Sequence, residues 1–187
     1  MVATLLGLIC VATSGAILIA LHFLPTDLDP IRYAVSDYGW TVYHLGYRAM
    51  VVLQGAGAIL IAVGLGQETN VLSLGWLYVY GAVRILISGF MTDREPEGML
   101  SLTRTGRIHM LLAGTAFASI AVAASHLDWT GKPDVLGPLG WLVTATAIAT
   151  GTALVVPPLR RAALGLIERL FYAASIVWLI VVAASIL

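Results

Sequence analysis

The sequence predicts an all-α polytopic membrane protein, a compact bundle of six transmembrane helices with both termini on the outer side. Of 187 residues, 59% are hydrophobic and only 11% charged, against about 25% charged in a typical soluble domain, and the mean hydropathy is +0.94. Spanning ~30 Å of hydrocarbon takes about 20 apolar residues of helix, and runs of that kind recur at 2–24, 45–66, 71–91, 108–127, 138–157 and 170–187. Arginine is concentrated in alternate connections between them. A single transmembrane domain over 1–187 uses the whole chain, with nothing left over for a soluble domain.

The first run lacks a positive leading region and exceeds the ~7–15 apolar residues of a signal-peptide core, so a retained helix is expected. It holds the single cysteine, Cys10, which can form no internal disulfide and reads as a small packing residue. Loop one, residues 25–44, carries Asp27, Asp29, Pro30, Arg32, Ser36, Asp37, Tyr38 and Gly39. Loop three, residues 92–107, carries Asp93, Arg94, Glu95, Pro96, Glu97, Gly98, Arg104 and Arg107. The fifth loop, with Arg160, Arg161, Glu168 and Arg169 around 162–167, is expected to be a short interfacial segment attracted to anionic lipid.

The first, third and fifth loops carry Arg32, Arg48, Arg94, Arg104, Arg107, Arg160, Arg161 and Arg169, whereas the second and fourth carry only Lys132. The positive-inside rule puts the odd loops in the cytoplasm of a cell whose inner membrane the chain crosses. Trp76, Trp129 and Trp141 then fall at outer helix ends, as an aromatic belt requires. Leu-Gly-Trp-Leu occurs at 74–77 and again at 139–142; a faint duplication and a chance recurrence of two interfacial starts both account for it. Helix four presents Ala113, Gly114, Ala116, Ala118, Ala121 and Ala124, and helix five Thr144, Ala145, Ala149, Gly151 and Ala153. Such small faces let backbones approach closely in lipid, leaving little room for a wide pore.

Arg84 lies deep in the third run, where a guanidinium costs at least ~2.5–3.5 kcal/mol on insertion scales and should face a partner, a cavity or a ligand. Tyr80 and Ser88 stand one turn to either side, with Tyr78 and Gly81 beside them, so a polar and aromatic stripe should point inward. Arg84 either fixes helix packing through a carboxylate or free carbonyls, or holds an anionic group in a cavity open to the cytoplasm. Asp93 and His109 should meet at similar depth where helix three leaves and helix four enters. That pair suits proton transfer or metal binding; equally, it can anchor two helix ends.

Ser36-Asp37-Tyr38-Gly39 precedes helix two. Asp37 or Ser36 can cap that helix, Gly39 allows a turn at positive φ, and Asp37 can serve as the counter-charge of Arg84. Adjacent helices two, three and four would bring Asp37, Tyr38, Asp93 and His109 together. His22, His44 and His109 lack the i, i+3 or i, i+4 spacing of a helical metal site, so no metal is expected. No two histidines sit at matching depth for haem, and no other cofactor is implied. A Gly-rich phosphate loop, a Ser-centred elbow and Cys-x-x-Cys are all missing from the sequence. No basic tract supports a nucleic-acid partner.

Ser36-Asp37-Tyr38-Gly39 before helix two, Phe90-x-Thr92-Asp93 after helix three and Gly106-x-x-His109 opening helix four resemble the prokaryotic membrane proteins grouped as domain of unknown function 998. The resemblance covers nearly the whole chain. It implies six helices, nominates Asp37, Asp93 and His109, and brings no established activity. The family's Phe-Pro-Thr-Asp is Phe90-Met91-Thr92-Asp93 here, so the proline is missing and the turn is free to differ. A fainter likeness to the Frag1/DRAM/Sfk1 membrane proteins rests on Ser36-Asp37-x-Gly39 and His109-x-x-x-Ala113-Gly114-x-x-Phe117.

The leading expectation is a protein that binds or moves an amphiphile, a membrane lipid with an anionic head, with Arg84 neutralising the head, Tyr80 and Ser88 donating to it, and Asp37, Tyr38, Asp93 and His109 shaping the mouth. A lipid-modifying enzyme would instead use Asp93 and His109, with Asp37, as acid–base or metal-binding groups. An assembly subunit would expose a small-residue face and hold no cavity. Oligomeric state is not legible.

Overall fold

A computed structural model describes residues 1–66, 69–93, 102–127 and 133–187. Arg94, Glu95, Pro96, Glu97 and Gly98 of the third loop, together with Trp129 and Lys132, lie outside the described residues. Regular structure among the described residues is helical throughout: α1 Val2–Phe23, a 3-10 helix Val35–Trp40, α2 His44–Leu65, α3 Val71–Ile87, α4 Arg104–His126, α5 Leu136–Val155 and α6 Pro157–Ala184.

Local chemistry sets the boundaries. The Asn70 side chain accepts from Ser73 N at 2.8 Å and starts α3, and the Thr103 hydroxyl accepts from Gly106 N at 3.1 Å and starts α4; both satisfy donors that a helix N-terminus leaves orphaned. α2 starts without a side-chain cap. Asp37 instead accepts from Ala34 N at 2.9 Å and stabilises the start of the 3-10 helix, which corrects the expectation that Ser36 or Asp37 caps helix two. The positive-φ glycine among the described residues is Gly66, after α2, and not Gly39.

The fifth loop is corrected as well. α5 and α6 are separated by Val156 alone, and α6 runs unbroken for 28 residues. Pro157 sits at the one helical position where its missing N–H costs nothing, and the alanine- and leucine-rich stretch that follows has high helix propensity. Arg160, Arg161, Glu168 and Arg169 therefore ride on the first turns of α6.

Each helix packs on the next in sequence, α6 closes back on α1, and α2 meets α6 across the middle. The closest crossings involve α1, α2 and α3. A Cβ on Gly7 would lie 2.9 Å from Gly57 O, and one on Gly55 would lie 2.6 Å from Gly81 O. By contrast, a Cβ on Gly114 of α4 or Gly151 of α5 would meet nothing within 4 Å, so these two expected packing residues face outward. The two Leu-Gly-Trp-Leu segments also differ in setting: Leu77 is fully buried, whereas Leu142 is exposed.

Five helices are long and apolar enough to cross a membrane, and α3, with 17 residues, is a shorter apolar helix. At ~1.5 Å per residue α3 covers about 26 Å. Several apolar helices of this kind make the chain a multi-pass membrane protein. Loop one, the exit of α3, the start of α4, the end of α5 and the start of α6 all gather at one end of the bundle.

Candidate functional site

A cavity of about 520 Å³ opens at that end. Its wall follows helical spacing on three elements: His109, Met110, Ala113 and Phe117 of α4; Thr150 and Leu154 of α5; Arg160, Arg161, Leu164 and Glu168 of α6. Residues three and four apart share one helix face, so each helix turns a single stripe to the space. Arg32, Tyr33, Ala34, Ser36 and Asp37 of loop one, with Thr92, Asp93 and Leu102, complete the lining. The lining arginines are exposed or half-exposed, whereas Phe117, Leu164, His109, Thr150 and Glu168 of the lining are buried.

Loop one is held against α6 at several points. Glu168 Oε2 accepts from Val35 N at 2.7 Å, and Leu166 N donates to Ile31 O at 3.0 Å. Arg169 donates through Nη1 to Tyr33 O at 2.7 Å and through Nε to His22 Nε2 at 2.6 Å. His22 Nδ1 lies 2.6 Å from Leu18 O, so with Nε2 accepting from Arg169 the donor to that carbonyl is Nδ1. Gly165 is required here, because any Cβ would collide with the Tyr33 and Pro30 carbonyls. Tyr38 is buried beside these groups, with the Arg169 guanidinium 5.8 Å from its ring centroid, and does not reach the cavity lining.

Asp93 and His109 both line the cavity but are not bonded to each other. The two Asp93 oxygens accept from Thr103, at 2.7 Å from its N and 2.6 Å from its hydroxyl, and the carboxylate lies against Gly106. His109 Nδ1 is 2.9 Å from Phe90 O, so it donates there and Nε2 keeps its lone pair. Asp93 and His109 therefore make no direct hydrogen bond, since Thr103 takes the Asp93 oxygens and the Phe90 carbonyl takes His109 Nδ1. The arrangement knits the exit of α3 to the start of α4.

Arg84 stands apart from the cavity lining. It is 2% exposed, donates to Tyr172 Oη at 2.8 Å and to Gln54 Oε1 at 2.7 Å, and its guanidinium carbon is 4.9 Å from the Tyr172 ring centroid. Among the described residues it forms no ion pair, so Asp37 is not its counter-charge. Ser88 is not a partner either: its hydroxyl turns back to Ile85 O at 2.7 Å. Tyr80 is fully buried on the same helix face as Arg84, one turn away. Phe117 of the cavity lining packs on Phe171 at 4.5 Å between centroids, and Phe171 lies 5.9 Å from Tyr172. A chain of aromatic contacts thus runs from the cavity wall to Tyr172, the partner of Arg84.

Gln54, Tyr172 and Glu168 are not among the site residues that the sequence nominates. Gln54 was detectable as a lone amide inside an apolar run, and Tyr172 follows Glu168 by one helical turn. Glu168 was hidden by assigning its segment to a loop.

The family model described as Protein of unknown function (DUF998) matches residues 5–185. The chain belongs to the DUF998 family. No curated protein and no solved structure matches it. Within this DUF998 chain the motif residues acquire physical roles: Asp93 and His109 join α3 to α4, and Asp37 organises the 3-10 helix that walls the cavity. The family match leaves the Frag1/DRAM/Sfk1 likeness untested.

Proposed function

We propose that this DUF998 protein binds or moves an amphiphile with a phosphate-like anionic head in the cavity at the loop-one end of the bundle. The carrying observation is a space of about 520 Å³ with arginines in its lining and Met110, Ala113, Phe117, Leu154 and Leu164 on its apolar walls. Ligand sites of this size are mostly apolar with a few placed polar groups. In this reading Arg32, Arg160 and Arg161, rather than Arg84, neutralise the head group, while Asp37, Asp93 and His109 shape the wall. Guanidinium groups suit phosphate because their donors form a planar fork.

In this reading all six helices cross the cell's inner membrane, α3 by local thinning of the bilayer. Arginine concentrated at the loop-one end puts the cavity mouth in the cytoplasmic leaflet and both termini outside. Native mass spectrometry of the full chain extracted from membranes tests the proposal. Wild type should retain a phospholipid that the double variant Arg160→Ala/Arg161→Ala loses. Equal retention by both would overturn it.

A further inference from the structure

Among the described residues, the cavity lining carries three arginines, Arg32, Arg160 and Arg161, and three carboxylates, Asp37, Asp93 and Glu168. A site built only for an anion has no use for the second group. Asp93 is occupied by Thr103 on both oxygens, and Asp37 turns one oxygen to Ala34 N. Glu168 is different: it is 6% exposed, lines the cavity, and takes one hydrogen bond through Oε2 from the Val35 backbone. It makes no ion pair among the described residues, because the neighbouring Arg169 is directed to His22, Tyr33 O and Gly165 O. A carboxylate buried without a cation is costly, and a cation supplied by a ligand relieves that cost.

Resting on the amphiphile reading above, we infer that the ligand head is zwitterionic, a phosphate joined by a short linker to a primary ammonium, with Glu168 taking the ammonium and Arg160 and Arg161 the phosphate. Arg161 and Glu168 are seven residues apart on α6, on the order of 10 Å along the axis. Both side chains line the same cavity, so one bound head can engage the two charges together. Phosphoethanolamine is the simplest group with this chemistry, either free or as the head of a phospholipid.

The test is a binding titration of the full chain in nanodiscs with phosphatidylethanolamine, its N-acetyl derivative, phosphatidylglycerol and soluble phosphoethanolamine. Wild type should prefer phosphatidylethanolamine over the N-acetyl form and over phosphatidylglycerol by about tenfold, the scale of one charge-assisted contact. Glu168→Gln should erase that preference while keeping the phosphatidylglycerol affinity, since the amide oxygen can still accept from Val35 N. Arg161→Ala should weaken all the lipids alike. Equal wild-type affinity for the native and N-acetylated lipid overturns the inference even if Glu168→Gln does not fold, and a preference unchanged in a folded Glu168→Gln overturns it too. Binding of phosphatidylglycerol without any preference sinks the ammonium site alone, whereas binding of no phosphate-bearing probe sinks the amphiphile reading with it. Soluble phosphoethanolamine binding as tightly as the lipid supports the site with a free ligand as source; much weaker binding supports it with the lipid as source.

Discussion

A guanidinium with 2% exposure and, among the described residues, no carboxylate against it depends on neutral acceptors, and Arg84 finds two in Tyr172 and Gln54. Removing it strands a phenol and an amide in an apolar interior. Arg84→Met should therefore cost about 2–3 kcal/mol, the scale of losing charged hydrogen bonds, seen as a lower melting temperature in detergent. Because Arg84 is not among the residues that line the cavity, lipid retention by the folded fraction should not change; loss of lipid at full stability would put Arg84 in the site after all. Asp93→Ala removes the acceptor of two Thr103 bonds and should cost about 1–2 kcal/mol. Hydrogen exchange should rise in the first turn of α4 before it rises elsewhere. Burial of Arg84 was legible from its position in an apolar run, but its partners were not, since they come from α2 and α6.

Among helices, the contrast between close and open glycines decides which substitutions matter. Gly55→Ala puts a Cβ against the Gly81 carbonyl with no flexible side chain to yield, so α2 and α3 must separate, at about 1–3 kcal/mol. Gly114→Ala meets open space and should raise stability by up to about 1 kcal/mol through helix propensity. Thermal melting of the two variants in the same detergent checks both signs. Gly165→Val should lift loop one from α6, and a cysteine at Ser36 should then become more reactive to thiol reagents in a Cys10→Ser background. Helix existence was readable from apolar length, whereas the continuous start of α6 was not, because its arginines resemble a loop until Pro157 is recognised as a helix opener.

For the molecule as a whole, sequential helices packed in a closed ring collect loop one, the α3–α4 junction and the α5–α6 junction at one end, and the cavity follows from that gathering. Cysteine labelling in intact cells checks the proposed orientation: in the Cys10→Ser background, Ser185→Cys should react with an impermeant reagent from outside, and Asp29→Cys only after permeabilisation. The reverse pattern would invert the topology. The all-helical membrane architecture and the family were determined by the sequence by itself, because in lipid a backbone must satisfy its own hydrogen bonds and apolar length then dictates helices. Only the tertiary structure decided which polar side chains meet. Arg84, separated by 30 residues from Gln54 and by 88 from Tyr172, and Glu168, separated by 133 from Val35, find their partners through helix rotation and loop docking. Those depend on the fit of glycines and aromatics between helices, which residue spacing along one chain does not encode.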